Sequence, residues 1–189
     1  MSRFLLWCLV MFTIPAGTWA MQPIQHWRTD NGVRVYFVPA DELPIIDISI
    51  GFDAGAARDP EGKSGLAHMV NVGMREGAGD LDGAEIESRL EEVGANLSNE
   101  NGRDMSVFEL RSLSEPEVIR QAASVLAAIL TQPTFPRDAI ERERQRSLVA
   151  LAQEKQSARD TVQRAFFRSL FAGHAYSNPP NGSESGIES

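Results

Sequence analysis

Two early stretches of the chain alternate strictly between apolar and polar positions. Val33, Val35 and Phe37 are interleaved with Arg34 and Tyr36, and Ile46, Ile48 and Ile50 with Asp47 and Ser49. A period of two sends successive side chains to opposite faces, so both stretches predict strands with one buried face. Asp30-Asn31-Gly32 separates Trp27–Thr29 from Val33–Val38. Asn-Gly tolerates positive φ, which predicts a hairpin there. A second hairpin is expected from 96–99 and 105–113 around Asn101-Gly102. Elsewhere the apolar period lengthens to that of a helix. One helix is expected over 63–75. Another starts at Asp82, with Glu85 three residues on as a capping box; it carries Ile86, Leu90 and Val93 and ends at Gly94. A third opens at Ser114 and Pro116 with Val118, Ala122, Val125, Leu126 and Ile129 on one face, and Pro133 stops it. Two more are expected, a long one over about 138–156 and a last one over about 158–171 that carries Val162, Ala165, Phe166 and Leu170.

The expected order is β-β-β-α-α-β-β-α-α-α. Strands in hairpins and helices in runs define an α+β fold: a mostly antiparallel sheet with helices packed on one face. Residues 21–172 are expected to form this domain. Residues 173–189, "GHAYSNPPNGSESGIES", are polar and rich in Pro and Gly, and read as a loop leading to a second domain.

The first twenty residues read differently. Arg3 precedes the uncharged apolar run Phe4–Ile14, then Pro15 and Gly17, and Thr18-Trp19-Ala20 has the small-residue form of a cleavage site. This is a secretory signal pattern, with cleavage expected after Ala20. Proline and glycine break the run short of the ~20 apolar residues a membrane span needs. The address expected is the periplasm or the exterior, with no membrane association after cleavage. The single cysteine, Cys8, lies in this segment, so the exported chain would hold no disulfide, thiolate nucleophile or cysteine metal site. A net charge of −8 over 189 residues argues against nucleic acid, whose phosphates need a basic surface.

The candidate chemistry sits in "GLAHMVNVGMREG", Gly65–Gly77. His68 stands alone on an apolar helix, followed by Asn71 and Val72. Three further segments accompany it in order: "GANLSNENGRDMSVFELRSL", "FPRDAIERERQRSLVALAQE" and "GHAYSNPPNG". Together they resemble the pitrilysin/insulinase-type zinc peptidases, a family that includes the mitochondrial processing peptidase. The first segment stands where that family has Gly-Leu-Ala-His-x-x-Glu-His. The second is similar to its next hairpin, the third to the long helix that supplies the last zinc ligand, and the fourth to its His-Pro-Tyr loop.

A hydrolytic zinc site needs three protein ligands, an open position for water and a general base. Carried over by the resemblance, the ligand positions fall on His68, Val72 and Ala150 and the base position on Asn71. An amide takes no proton from water near neutral pH, and valine and alanine have no donor atom. The resemblance therefore implies no catalytic residue and no metal site in this chain, with zinc only in active relatives. Glu154, one turn beyond Ala150, is the best substitute ligand; Glu76 is about 12 Å of helix rise from His68 and too far. Ser64 and Ser98 lack the elbow and the partners of a nucleophile. The resemblance also implies peptide binding by strand addition on the second hairpin, at Ser98, Asn99 and Glu100. The expected function is that of an exported, inactive peptidase homologue. Its expected partners are an active zinc-peptidase subunit, or a second domain of the same fold, and a peptide. The alternatives are an active zinc metalloendopeptidase with a rearranged site and a stand-alone periplasmic binding or scaffold module.

Overall fold

The structure, a computed structural model, describes residues 23–189. The expected signal segment and its cleavage point lie outside the described residues. The chain divides into two compact units, the first ending at Leu43 and the second running from Pro44 to Ser189.

The first unit holds the predicted hairpin. Strands β1 (Gln25–Arg28) and β2 (Arg34–Phe37) pair antiparallel, and Gly32 takes the left-handed conformation at φ 89° that the turn requires. Trp27, Tyr36 and Phe37 are exposed within it.

The second unit is built on a three-stranded antiparallel sheet. Strand β3 (Ile45–Phe52) pairs with β7 (Ser106–Leu113), which pairs in turn with β6 (Asn96–Asn101), giving the order β3-β7-β6. The register sets Ile48 opposite Leu110 and Leu110 opposite Leu97. The apolar members of the alternation thus line up across all three strands and form one face. The opposite face is wet and charged, with Arg111 in a two-pronged pair with Asp47 (2.7 and 2.9 Å). Two helices cover the apolar face, α2 (Gly83–Glu92) and α3 (Pro116–Thr131). Ile86 and Leu90 of the first and Ala122, Val125, Leu126 and Ile129 of the second meet Phe108 and Leu110 in a single core. Helix α2 starts on the expected capping box, Asp82 accepting from the Glu85 amide and Glu85 accepting from the Asp82 amide. The cap residue of α3 is Glu115, with Pro116 in its first turn, and Ser114 lies one residue outside. A small hairpin the sequence did not announce, β4 (Gly77–Ala78) with β5 (Leu81–Asp82), links the site helix to α2.

Four further helices complete the unit. α1 (Leu66–Gly73) lies against β6 and against α4 (Arg137–Glu154). α5 (Ala158–Leu170) follows, and its expected apolar stripe is exposed: Val162 is 67% and Phe166 58% accessible. Residues 173–189 differ from the polar loop expected. They form a 3-10 turn (Ala175–Ser177) and a short helix α6 (Glu184–Glu188) folded against the start of α1. Glycines explain this docking. Side chains added at Gly182 or Gly186 would overlap the backbone of Ser64 and Gly65, while Ile187 is buried against Gly65. The contact combines this one apolar side chain with close backbone approach at the two glycines.

Candidate functional site

The site is a seam where α1 meets β6 and α4. Its first element is a remote cap. Asp59 accepts from the backbone amides of Gly65 (2.7 Å) and Ala67 (2.8 Å), supplying acceptors to two of the free N–H groups at the head of α1. Gly65 precedes the helix at φ 113°, a conformation natural to glycine. Gly73 near the other end lets α4 approach closely, since a Cβ there would press on Ile140 and on the Phe135 ring.

Between these ends, α1 directs His68, Asn71 and Val72 into the seam. Asn71 is 2% exposed and both polar atoms of its amide are bonded. The Asn99 side chain donates to the Asn71 Oδ1 (2.7 Å) and to its backbone carbonyl (3.0 Å). The Asn71 Nδ2 donates in turn to the Glu100 carbonyl (3.4 Å). Arg75 continues the mesh, donating to Asn99 Oδ1 (3.0 Å) and pairing with Glu87 on α2. Five residues thus tie α1, β6 and α2 together through neutral amides and one ion pair.

His68 faces α4. Its Nε2 lies 3.2 Å from the Oγ of Ser147, a buried serine whose hydroxyl also reaches the Met69 sulfur at 3.8 Å. Burial lowers the His68 pKa from its ordinary value, against the opposing pull of Glu143, Asp59 and Glu154. The imidazole is therefore held neutral. The pair is not arranged as a nucleophile and base: Ser147 is enclosed, and among the described residues no third group orients the ring.

The residue across from His68 is thus Ser147, not Ala150. Ala150, the ligand position implied by the resemblance, lies exposed on α4. Glu154 is also committed elsewhere. Its carboxylate pairs with Arg164 and accepts from Asn181. Val72 joins the seam with hydrocarbon only. A zinc ion does not fit these residues. His68 supplies one good donor, Ser147 a neutral hydroxyl and Asn71 an oxygen already bonded to Asn99; among the described residues no three His, Cys, Asp or Glu side chains converge. Ser98, Asn99 and Glu100 lie on β6, an edge strand of the sheet. An open groove lined by His68, Asn71, Val72 and Asn99 runs beside it, walled at one end by Arg103, Pro180 and Asn181. Nothing in the sequence singles out Ser147, Asp59 or Arg75 for the site.

The profile of the Insulinase (Peptidase family M16) family matches residues 40–182. The chain belongs to that family. It is 31% identical in sequence to a solved structure from Pseudomonas fluorescens described as a peptidase M16 inactive domain, with a TM-score of 0.84 over 87% of this chain and 40% of that one. It is 27% identical to the mitochondrial-processing peptidase subunit beta of Bos taurus over 79% of this chain and 29% of that protein. It is 26% identical to the bovine cytochrome b-c1 complex subunit 1 over 77% of this chain and 30% of that protein. Crystalline pitrilysin shares the fold, with a TM-score of 0.74 at 20% identity over 88% of this chain and 18% of that one. The chain spans roughly a third of the curated relatives it matches, 30% of one and 39% of another.

Proposed function

We propose that this chain is a catalytically silent member of the insulinase family, exported to the periplasm or beyond, which pairs with an active zinc-peptidase subunit and contributes a peptide-binding wall. The observation that carries the reading is the amide mesh at Asn71. At the position where an active relative holds its general base, this chain has a buried neutral amide with every polar atom engaged. The donors a zinc ion would need are replaced by Val72 and Ser147. The solved relative described as an inactive domain supports the same reading. Two curated relatives carry subunit names, which fits a partner chain.

Peptide binding does not need the metal. Strand addition uses backbone groups of an edge strand, and β6 is such an edge. The Glu100 carbonyl is already taken by Asn71, so an added strand would pair along β6 toward Asn96.

The test measures zinc content and cleavage of an unstructured peptide by the purified chain, alone and mixed with an active family subunit from the same source. The expected result is less than a tenth of an equivalent of zinc, no cleavage alone, and faster cleavage on mixing. Chelator-sensitive cleavage by the unmodified chain alone would instead establish an active enzyme. Rebuilding the site sharpens the test. Asn71→Glu with Val72→His and Ser147→Glu should take up zinc, and the same pair with Ala150→Glu should not, because residue 150 is exposed.

A further inference from the structure

We propose that the cleft between α5 and residues 175–181 receives a carboxylate carried by a peptide, an inference that rests on the peptide-binding reading above. The cleft has a volume of about 200 Å³ and is bounded by Arg103, Arg164, Phe167, Arg168, Pro180 and Asn181. It adjoins the groove beside β6, since Arg103, Pro180 and Asn181 wall both spaces. Arg103 lies two residues past the end of β6, so a peptide paired with β6 between Asn96 and Asn99 that continues past Glu100 meets the cleft.

The arginines are in different states. Arg164 is occupied, paired with Glu154 and donating to the Gly182 carbonyl at 3.2 Å. Arg103 is fixed but not saturated. Its guanidinium carbon stands 3.8 Å from the centroid of the Phe167 ring, and its Nε donates to the Tyr176 carbonyl at 3.1 Å. Its two terminal nitrogens have no hydrogen-bond or ion-pair partner among the described residues, and Arg168 likewise has none. Asp160 also borders the cleft and offsets one of these charges. What remains is an excess of one positive charge, in a chain whose net charge is −8. A guanidinium held on an aromatic face is weakly hydrated and offers a planar pair of N–H groups, the geometry a carboxylate accepts. One excess charge suits a monoanion. Phe167 and Pro180 give the cleft apolar walls, which exclude water and strengthen such a pair.

A carboxylate can come from an acidic side chain or from a free C-terminus, and three labelled peptides of equal length separate these sources. The first is amidated and carries two internal glutamates, the second is neutral with a free C-terminus, and the third is neutral and amidated. Binding to the full chain is read by fluorescence anisotropy at low salt. At least one carboxylate peptide is expected to bind roughly tenfold more tightly than the third, the scale of one charge-assisted pair. Whichever does so identifies the source. Arg168→Gln and Arg103→Gln should each shrink that preference below about threefold and leave the third peptide unchanged, while Arg168→Lys should largely keep it. Arg168 touches no other side chain through a polar contact, so its variant tests the site without disturbing the Tyr176 turn. Equal binding of all three peptides, or a preference that survives both glutamine variants, overturns the carboxylate site and leaves peptide binding standing. Failure of every peptide to bind overturns both.

Discussion

The two surfaces that hold the second unit together are made of opposite materials. Under α2 and α3 the sheet presents Phe108, Leu110 and Leu97, and every partner is hydrocarbon. At the seam, α1 meets β6 and α4 through Asn71, Asn99, Arg75, His68 and Ser147, and close approach there depends on Gly73. The first surface is non-directional and its strength follows area. The second is directional, and each group is costly to leave unpaired. The seam is also where the family resemblance sets its chemistry. Its polar residues bond one another, Asn71 to Asn99, Asn99 to Arg75 and His68 to Ser147. A polar interior seam can thus persist by satisfying itself.

The comparison is open to measurement. The largest effect belongs to the apolar surface: Phe108→Ala should destabilise the protein by about 3–5 kcal/mol in chemical denaturation. A loss under 1 kcal/mol would mean that the core lies elsewhere. At the seam, Asn71→Ala should cost about 1–3 kcal/mol, because the Glu100 carbonyl and the Asn99 amide lose partners. Asn71→Asp should be at least as damaging at neutral pH, since the aspartate would have no donor to give the Glu100 carbonyl. If both variants match the parent, the mesh does not hold the seam. A smaller effect comes from His68. Its folded pKa is lowered by burial, so the unfolded chain binds the proton more readily. Its contribution to stability is therefore complete above the unfolded value near 6.5 and falls as pH drops below it. Denaturation midpoints between pH 7.5 and 5 should show this decline, and His68→Gln should flatten that part of the curve. The smallest effect is expected on α5, where Val162→Ser with Leu170→Ser should change stability by less than about 0.5 kcal/mol. A larger loss would show that the stripe is buried in solution.

The sequence revealed the elements more readily than their neighbours. Strict alternation in 46–52 and the Asp82–Glu85 box are local signals, and both elements formed where expected. Val162, Phe166 and Leu170 are also a local signal, yet periodicity says only that a stripe is apolar, not that anything covers it. The identity of the site helix was legible because His68 sits in a recognisable string. The residue facing it was not, because choosing Ser147 over Ala150 on α4 needs the rotation of a helix 79 residues away in sequence. The fold of residues 173–189 was hidden for a different reason. Glycine and serine, which read as a loop, are here the residues that allow backbones to touch.

That last contact sets a rule for how this protein can diverge. Gly65, Gly182 and Gly186 form one joint across a span of more than a hundred residues, and the joint has no room for any side chain at 182 or 186. A library randomised at all three codons and sorted for folded protein should return glycine at both later positions, and a lone alanine at either should release the final helix to proteases. The end of the chain is thereby fastened by what these residues lack.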